Sequence, residues 1–167
     1  MSKTLLIVYH SMTGGARQMA EAAAEGARAE AEPLEGQVVL RHAAEAGPDD
    51  LRAADGYLFV TPENLAAISG VMKDFFDRSY YPVLEALQGR PYATMVCAGS
   101  DGHNAARQVA RIAMGWRLKP VSEPVIICTH AQTPEAILAP KQLSDDDLQI
   151  CRALGESMAA GLLLGVF

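Results

Sequence analysis

The feature that most constrains this chain is an apolar run that ends abruptly in a loop rich in glycine and hydroxyl groups. The run spans residues 5–9 (LLIVY), the loop spans residues 10–15 (HSMTGG), and an alanine-rich helical pattern follows to about Ala31. A buried strand that enters a helix through such a loop can hold a phosphate, because the first N–H groups of a helix are unpaired and carry partial positive charge. The two glycines allow close backbone approach, and the hydroxyls of Ser11 and Thr13 can donate to phosphate oxygens.

Short apolar runs alternate with longer helical patterns along the rest of the chain. The runs are residues 5–9, 38–40, 57–61, 92–98 and 125–128. The helical patterns are residues 15–31, 71–87, 104–116 and a last helix that opens at Ser144, with a short or poorly formed helix within 43–52. The runs are rich in Val, Ile and Leu without strict alternation, as in parallel strands that are covered on both faces. The pattern predicts an α/β fold, a three-layer sandwich built from βαβ units.

Composition and charge argue against several classes of protein. The 167 residues fit one domain spanning 1–167, and the net charge of −6 argues against nucleic acid or an anionic membrane as the main partner. No stretch approaches the roughly 18 apolar residues of a membrane span. The chain enters a strand pattern directly, so we expect no signal peptide and a cytoplasmic location. Cys97, Cys128 and Cys151 lack CxxC spacing, which predicts buried free thiols and no metal site.

Right-handed crossovers bring the loops after the first, third and fourth predicted strands to one edge of the sheet. These are loop one, His10–Ala16, loop three, Thr61–Gly70, and loop four, Ala98–Asn104. Ligands of open α/β sheets bind outside the carboxyl ends of the strands. Loop one lacks the GxxxxGKS/T and GxGxxG patterns, so neither a P-loop nor the dinucleotide fingerprint is expected. Each loop taken alone is equally well explained as a connection between a strand and a helix. The three loops together indicate a ligand-binding site.

Together the three loops resemble those of the flavodoxin-like superfamily, most closely the NAD(P)H-dependent FMN reductases and the WrbA-type NAD(P)H:quinone oxidoreductases. The resemblance rests on Tyr9–Gly14, on Thr61–Glu63 and Ile68–Lys73 with Phe76–Asp77, and on the position of loop four. It spans nearly the whole chain in the family's order and spacing. It implies a flavodoxin-like three-layer sandwich with a five-stranded parallel sheet of order 2-1-3-4-5.

The resemblance also implies an FMN site with NADH or NADPH as co-substrate. Loop one would bind the FMN phosphate, and loops three and four would hold the flavin ring largely through backbone groups. The residues implied are His10, Ser11, Met12, Thr13, Gly14, Gly15 and Ala16 in loop one, Pro62, Glu63, Asn64, Leu65 and Ala66 in loop three, and Ala98, Gly99, Ser100, Asp101, Gly102 and His103 in loop four. No catalytic side chain is identified.

The sequence departs from the family pattern at three places in the implied site, one of them in loop four, where residues 100–104 (SDGHN) stand in place of a glycine-rich stretch with a histidine. Ala16 stands where many flavodoxins have a hydroxyl-bearing residue, and Arg17 or Gln18 is the candidate replacement. Leu65 and Ala66 stand in place of an aromatic residue or asparagine and a glycine. An aliphatic side chain would then have to cover the flavin.

Two histidines border the implied site. His10 is a candidate source of positive charge beside the phosphate. His103 either contacts a flavin oxygen or the substrate, or is a solvated loop residue.

Three functions are open at this point. The first is an NAD(P)H-dependent oxidoreductase that passes electrons through FMN to a quinone or another small acceptor. The second is a flavodoxin-type electron carrier, against which the mild net charge and the missing aromatic residue in loop three argue. The third is a cofactor-free flavodoxin-like interaction domain. The apolar C-terminus, Leu162–Phe167, predicts a homodimer or homotetramer.

Overall fold

The computed structural model describes residues 2–167, which form alternating strands and helices. The strands are β1 Thr4–Tyr9, β2 Gln37–His42, β3 Gly56–Asn64, β4 Ala67–Ile68, β5 Pro91–Ala98, β6 Lys119–Pro120 and β7 Val125–Cys128. The helices are α1 Gly15–Ala31, α2 Pro48–Ala53, α3 Gly70–Ser79, α4 His103–Gly115, α5 Pro134–Leu138 and α6 Asp145–Leu163. A 3-10 turn, Glu32–Leu34, follows α1.

The sheet is parallel in the order β2-β1-β3-β5, and two short strands share the position beyond β5. Strand β6 pairs with the start of β5, and β7 pairs with its end, from Met95 opposite Val125 to Ala98 opposite Cys128. The predicted order of five parallel positions is therefore confirmed. Strand β4 is an addition, because it folds back antiparallel onto the end of β3.

Each central strand is buried on both faces. Leu5 and Ile7 of β1 pack into the layer that contains α1 and α6, whereas Leu6 and Val8 pack into the layer that contains α3 and α4. The second layer holds an aromatic cluster that includes Phe59, Phe75, Phe76 and Trp116. Burial on both faces explains why the apolar runs show no alternation.

The helix ends follow local signals in the sequence, with one difference. Helix α1 ends at Ala31, and α6 begins after Ser144, whose Oγ accepts a hydrogen bond from the N–H of Asp147 at 3.1 Å. The helix predicted over 71–87 ends at Ser79 instead, and turns occupy the residues up to 89. Pro82 explains the break, since proline cannot donate to an i−4 carbonyl.

Helices α1 and α6 pack at close range through two glycines. A Cβ added to Gly155 would overlap the carbonyl oxygen of Ala23, and one added to Gly26 would overlap the carbonyl oxygen of Arg152. The two backbones therefore approach more closely than any side chain would allow at these positions.

The apolar C-terminus packs largely against its own chain. Leu162 is buried in the core, Leu163 covers Gly36, and the ring of Phe167 covers Gly161. Leu164 and Val166 remain exposed. The assembly predicted from this segment stays a prediction. Within residues 2–167, no helix combines the length and the apolar character that crossing a membrane requires.

We expect Gly155→Ala to lower the free energy of unfolding by about 2 kcal/mol or more, because the new methyl group forces α6 away from α1. Gly70→Ala is the matched control, since no heavy atom lies within 4 Å of its added Cβ. The control should change stability by about 1 kcal/mol or less. Urea denaturation of both variants measures the difference, and equal stabilities would contradict close packing at Gly155.

Candidate cofactor site

Loop one connects β1 to α1 through a left-handed residue. Gly14 precedes the first turn of α1 and has φ of 98°, a conformation that side-chain-bearing residues rarely adopt. The Ser11 Oγ accepts a hydrogen bond from the N–H of Gly14 at 3.0 Å and holds the loop in shape. Because Gly14 has no side chain, it leaves the N–H groups of the first turn free to face a ligand.

A cavity of about 70 Å³ lies at the carboxyl edge of the sheet, between loop one and the ends of β3 and β5. Many of the predicted site residues line it. They are Ser11, Met12, Thr13, Gly15 and Ala16 from loop one, Pro62, Glu63 and Asn64 from the end of β3, and Ala98 and Gly99 from the end of β5. The structure therefore brings the three loops together as predicted.

Gly15 packs closely against Cys97 in the wall of this cavity, and a side chain at position 15 would require Cys97 to move. A Cβ added to Gly15 would lie 2.5 Å from the Sγ of Cys97. Burial raises the pKa of the Cys97 thiol to about 11, so the thiol stays uncharged near neutral pH. Backbone N–H groups and hydroxyls of loop one, with the neutral Cys97 thiol, form one side of this cavity, which we call the cradle, and a phosphate fits this donor set.

A second, open cavity of about 490 Å³ lies on the other side of loop one. It is lined by four residues of loop one, Ser11, Met12, Thr13 and Gly14, together with Tyr9, Arg17, His42, Leu138 and Pro140. Arg17 faces this second cavity and pairs with Glu21 at 3.8 Å. Arg17 does not line the first cavity, so within that cavity it does not replace the hydroxyl that Ala16 lacks.

Glu63 ties the end of β3 to the start of α4. Its Oε1 accepts a hydrogen bond from the N–H of Gly102 at 2.9 Å, and its Oε2 accepts one from the N–H of Ala105 at 3.1 Å. A carboxylate at this position also interacts favourably with the helix dipole. Glu63 therefore fastens loops three and four together, a role that its place in the sequence did not indicate.

Loop three is a β-hairpin. Strand β3 continues to Asn64, and β4 returns antiparallel after a turn of two residues, Leu65 and Ala66, with φ of 50° and 61°. Two-residue hairpin turns favour Asn-Gly because both positions need positive φ. The Leu65 side chain is fully exposed, and the side-chain amide of Asn104 in α4 donates to the carbonyl of Ala66. The turn is held in a strained conformation by the helix beside it.

Other predicted residues lie outside the two cavities. Leu65 and Ala66 form the hairpin tip, and Ser100–His103 lead into α4. The Nδ1 of His103 lies 2.6 Å from the Oδ1 of Asp101, and both side chains are exposed. This hydrogen bond lowers the pKa of Asp101. A role for these residues beside a flavin stays a prediction.

A segment that the sequence analysis missed closes the cavity. Residues 129–143, which we call the strap, follow β7 and fold back over loop one. The strap contributes four residues to the cavity wall, Thr129, Ala131, Ile137 and Lys141. The Thr133-Pro134 pair is a recognisable helix start and would have predicted α5. No local signal places the strap against loop one.

Gln18 fastens the strap to loop one through both ends of its amide. Its Nε2 donates to the carbonyls of Gly14 at 2.9 Å and Lys141 at 2.7 Å, and its Oε1 accepts from the N–H of Leu143 at 3.1 Å. The N–H of Lys141 also donates to the carbonyl of Thr13 at 2.9 Å. Both amide hydrogens of Gln18 are thus in use, so Gln18 does not replace the missing hydroxyl at Ala16.

Comparison with known proteins agrees with this geometry. Residues 4–133 match the sequence model of the family described as NADPH-dependent FMN reductase. The chain belongs to this family. A protein of Aquifex aeolicus (strain VF5) named flavodoxin is 32% identical over 164 residues, which cover 93% of this chain and 84% of the relative. An Acidithiobacillus ferrooxidans protein named NAD(P)H dehydrogenase (quinone) is 39% identical over 92 residues, covering 45% of this chain and 46% of the relative.

Solved structures share the fold of this FMN reductase family member. A flavodoxin from the domain Archaea superimposes with a TM-score of 0.73 at 20% identity, over 95% of this chain and 98% of that one. A WrbA-like flavodoxin from Agrobacterium tumefaciens superimposes with a TM-score of 0.68 at 23% identity, over 95% and 96%. The flavodoxin-like fold expected from the sequence is confirmed.

His10 points away from the phosphate cradle. Its Nδ1 lies 2.7 Å from the Oγ of the buried Ser69, and its ring lies edge-on to His42 with centroids 5.6 Å apart. Burial, with a smaller contribution from His42, lowers the pKa of His10 below its ordinary value of 6.5. His10 is therefore neutral near pH 7 and does not supply the positive charge that the sequence suggested.

We expect the double variant Leu65→Asn, Ala66→Gly to raise the free energy of unfolding by about 1–2 kcal/mol, because both new residues tolerate positive φ. Leu164→Asn is the control, since it also removes an exposed leucine but from a residue with negative φ. Thermal unfolding compares the three proteins. A double variant no more stable than the wild type would mean that the hairpin tip carries no strain.

The lowered pKa of His10 predicts an acid-dependent loss of stability. Below pH 6.5 the His10 ring becomes protonated in the unfolded chain but stays neutral in the folded protein. The free energy of unfolding therefore falls as the pH drops towards the folded-state pKa. His10→Asn should show a shallower fall in unfolding free energy between about pH 8 and pH 5. His130→Asn, at an exposed histidine, is the control. Parallel curves for His10→Asn and the wild type would contradict the prediction.

Proposed function

We propose that this chain is an FMN-binding oxidoreductase that takes electrons from NADH or NADPH and passes them to a quinone or another small acceptor. The observation that carries the proposal is the cradle at the start of α1, where Gly15 packs so closely on Cys97 that free N–H groups and hydroxyls face a narrow cavity. Membership of the NADPH-dependent FMN reductase family supports the same proposal.

The residues of the three loops have separate tasks in this proposal. Loop one binds the phosphate through its N–H groups and the hydroxyls of Ser11 and Thr13. Pro62 and Gly99 offer backbone surface beside the cavity, against which a flat ring system packs. Glu63 holds the end of β3 against the start of α4 by accepting hydrogen bonds from the N–H groups of Gly102 and Ala105. When bound, FMN supplies the redox chemistry of the reaction.

Catalysis in this proposal depends on placement rather than on a side-chain acid or base. Cys97 is a neutral buried thiol, and the imidazole of His10 is engaged with Ser69. Neither group is available to exchange a proton with a substrate above the ring. The contribution of the chain is therefore to orient the nucleotide and the acceptor and to exclude water between them.

A flavodoxin-type electron carrier is the second candidate. It is supported by the relative from Aquifex aeolicus that bears that name and aligns with 93% of this chain. A carrier would bind the same mononucleotide but exchange electrons with protein partners. The homodimer or homotetramer and the cytoplasmic location remain predictions under either function.

Binding of the mononucleotide is the first test. We expect the purified protein to bind FMN more tightly than riboflavin or FAD in a fluorescence titration, because the cradle is narrow and selects a terminal phosphate. Gly14→Val should weaken FMN binding at least about tenfold, since valine disfavours φ of 98°. Asp145→Ala, at the exposed start of α6, should leave it unchanged. Protein that stays colourless and shows no FMN-dependent thermal shift would instead support a cofactor-free domain.

Turnover separates the enzyme from the carrier. The FMN-loaded protein is mixed with NADH or NADPH, with and without a soluble quinone, and the absorbance of the nicotinamide is followed. Quinone-dependent oxidation over many turnovers supports the oxidoreductase. Absence of turnover with both nucleotides, together with rapid electron exchange with a redox protein, would replace it with the carrier.

A further inference from the structure

We propose that Lys141 of the strap supplies the positive charge that holds the phosphate of the bound mononucleotide. The proposal rests on the proposed function and assigns a phosphate-binding role to a segment outside the three loops. Lys141 is the basic side chain among the residues that line the first cavity within the described part of the chain, 2–167. A cation beside a phosphate dianion strengthens its binding by Coulombic attraction.

The position of Lys141 is fixed by its own backbone. Its N–H donates to Thr13 in loop one, and its carbonyl accepts from the Nε2 of Gln18 in the first turns of α1. Its Cβ lies 3.6 Å from the point that a Cβ of Gly15 would occupy. The Lys141 side chain therefore begins at the wall of the cradle, and the two hydrogen bonds of its backbone hold it against loop one.

The ammonium group of Lys141 is held by hydrogen bonds to backbone carbonyls and keeps its positive charge. Its Nζ donates to the carbonyls of Ala136 at 2.8 Å, Ile137 at 2.9 Å and Ala139 at 2.6 Å. Among residues 2–167, none of the ion pairs involves Lys141. Carbonyl groups orient the ammonium but leave its full charge, so its field remains available to an anion in the adjoining cavity.

The other two candidates for this positive charge, Arg17 and His10, do not line the first cavity. Arg17 lines the second cavity and pairs with Glu21, and His10 is neutral near pH 7. Ala16 lacks the hydroxyl that would otherwise provide one more donor. The Lys141 charge also reaches the cradle, since it opposes the larger effect of burial on the pKa of Cys97. Lys141 is thus the residue placed to compensate the phosphate.

The test compares two ligands that differ in the phosphate. FMN and riboflavin are titrated into the wild type and Lys141→Met at low and high salt. We expect Lys141→Met to weaken FMN binding about tenfold and riboflavin binding less than about twofold. Added salt should weaken FMN binding more in the wild type than in Lys141→Met, because screening acts on the charge that the variant has lost.

Two further variants separate charge from folding. Lys119→Met removes an exposed lysine beside the start of β5, at the opposite edge of the sheet, and should bind both ligands as the wild type does. Lys141→Arg retains the charge and should keep FMN affinity within about threefold of the wild type. Circular dichroism verifies that each variant is folded, and the wild-type salt titration tests the charge without a substitution.

The outcomes are distinct. Equal weakening of FMN and riboflavin in Lys141→Met would give the lysine a purely structural role, and unchanged FMN affinity would remove it from the site. Either result overturns the inference while the proposed function stands. A wild-type protein that binds neither ligand would overturn the proposed function itself.

Discussion

The close approach of the first turn of α1 to the end of β5 is the constraint on which the site depends. Gly15 leaves no room for a side chain against Cys97, and Gly155 brings α6 against the same helix some turns later. A single helix therefore shapes the cradle at its start and a core contact further along. Displacing α1 by the width of a methyl group would disturb both, because close-packed interiors do not absorb added volume.

Two polar side chains convert neighbouring loops into one rigid rim. Glu63 joins the end of β3 to the start of α4, and Gln18 joins loop one to the strap. Each uses two side-chain atoms to form hydrogen bonds with backbone groups at a loop or a helix end. The shape of the rim therefore depends on the hydrogen bonds that Glu63 and Gln18 form.

The electrostatics of the site follow from which groups are buried. The Cys97 thiol and the His10 ring are both held neutral by burial, so neither adds charge to the first cavity, whose charged lining residues are Glu63 and Lys141. The strap brings a cation to its edge while keeping that cation on backbone carbonyls. This arrangement suits an anion better than an uncharged ligand, and it makes the strap a part of the site.

The sequence by itself determined the parallel strands and the start of α1, because buried strands and helix boundaries are encoded in runs of neighbouring residues, whereas the strand order followed from the family resemblance. It also indicated the three loops, since parallel strands of one sheet end at a common edge. The sequence did not predict the hairpin turn at Leu65 and Ala66, because these residues disfavour positive φ. The turn is supported by Asn104 of α4, which donates a hydrogen bond to the Ala66 carbonyl. Only the tertiary structure decided that His10 is neutral and that Lys141 lies beside Gly15. Both depend on contacts between residues far apart in the chain, and local patterns carry no information about such contacts.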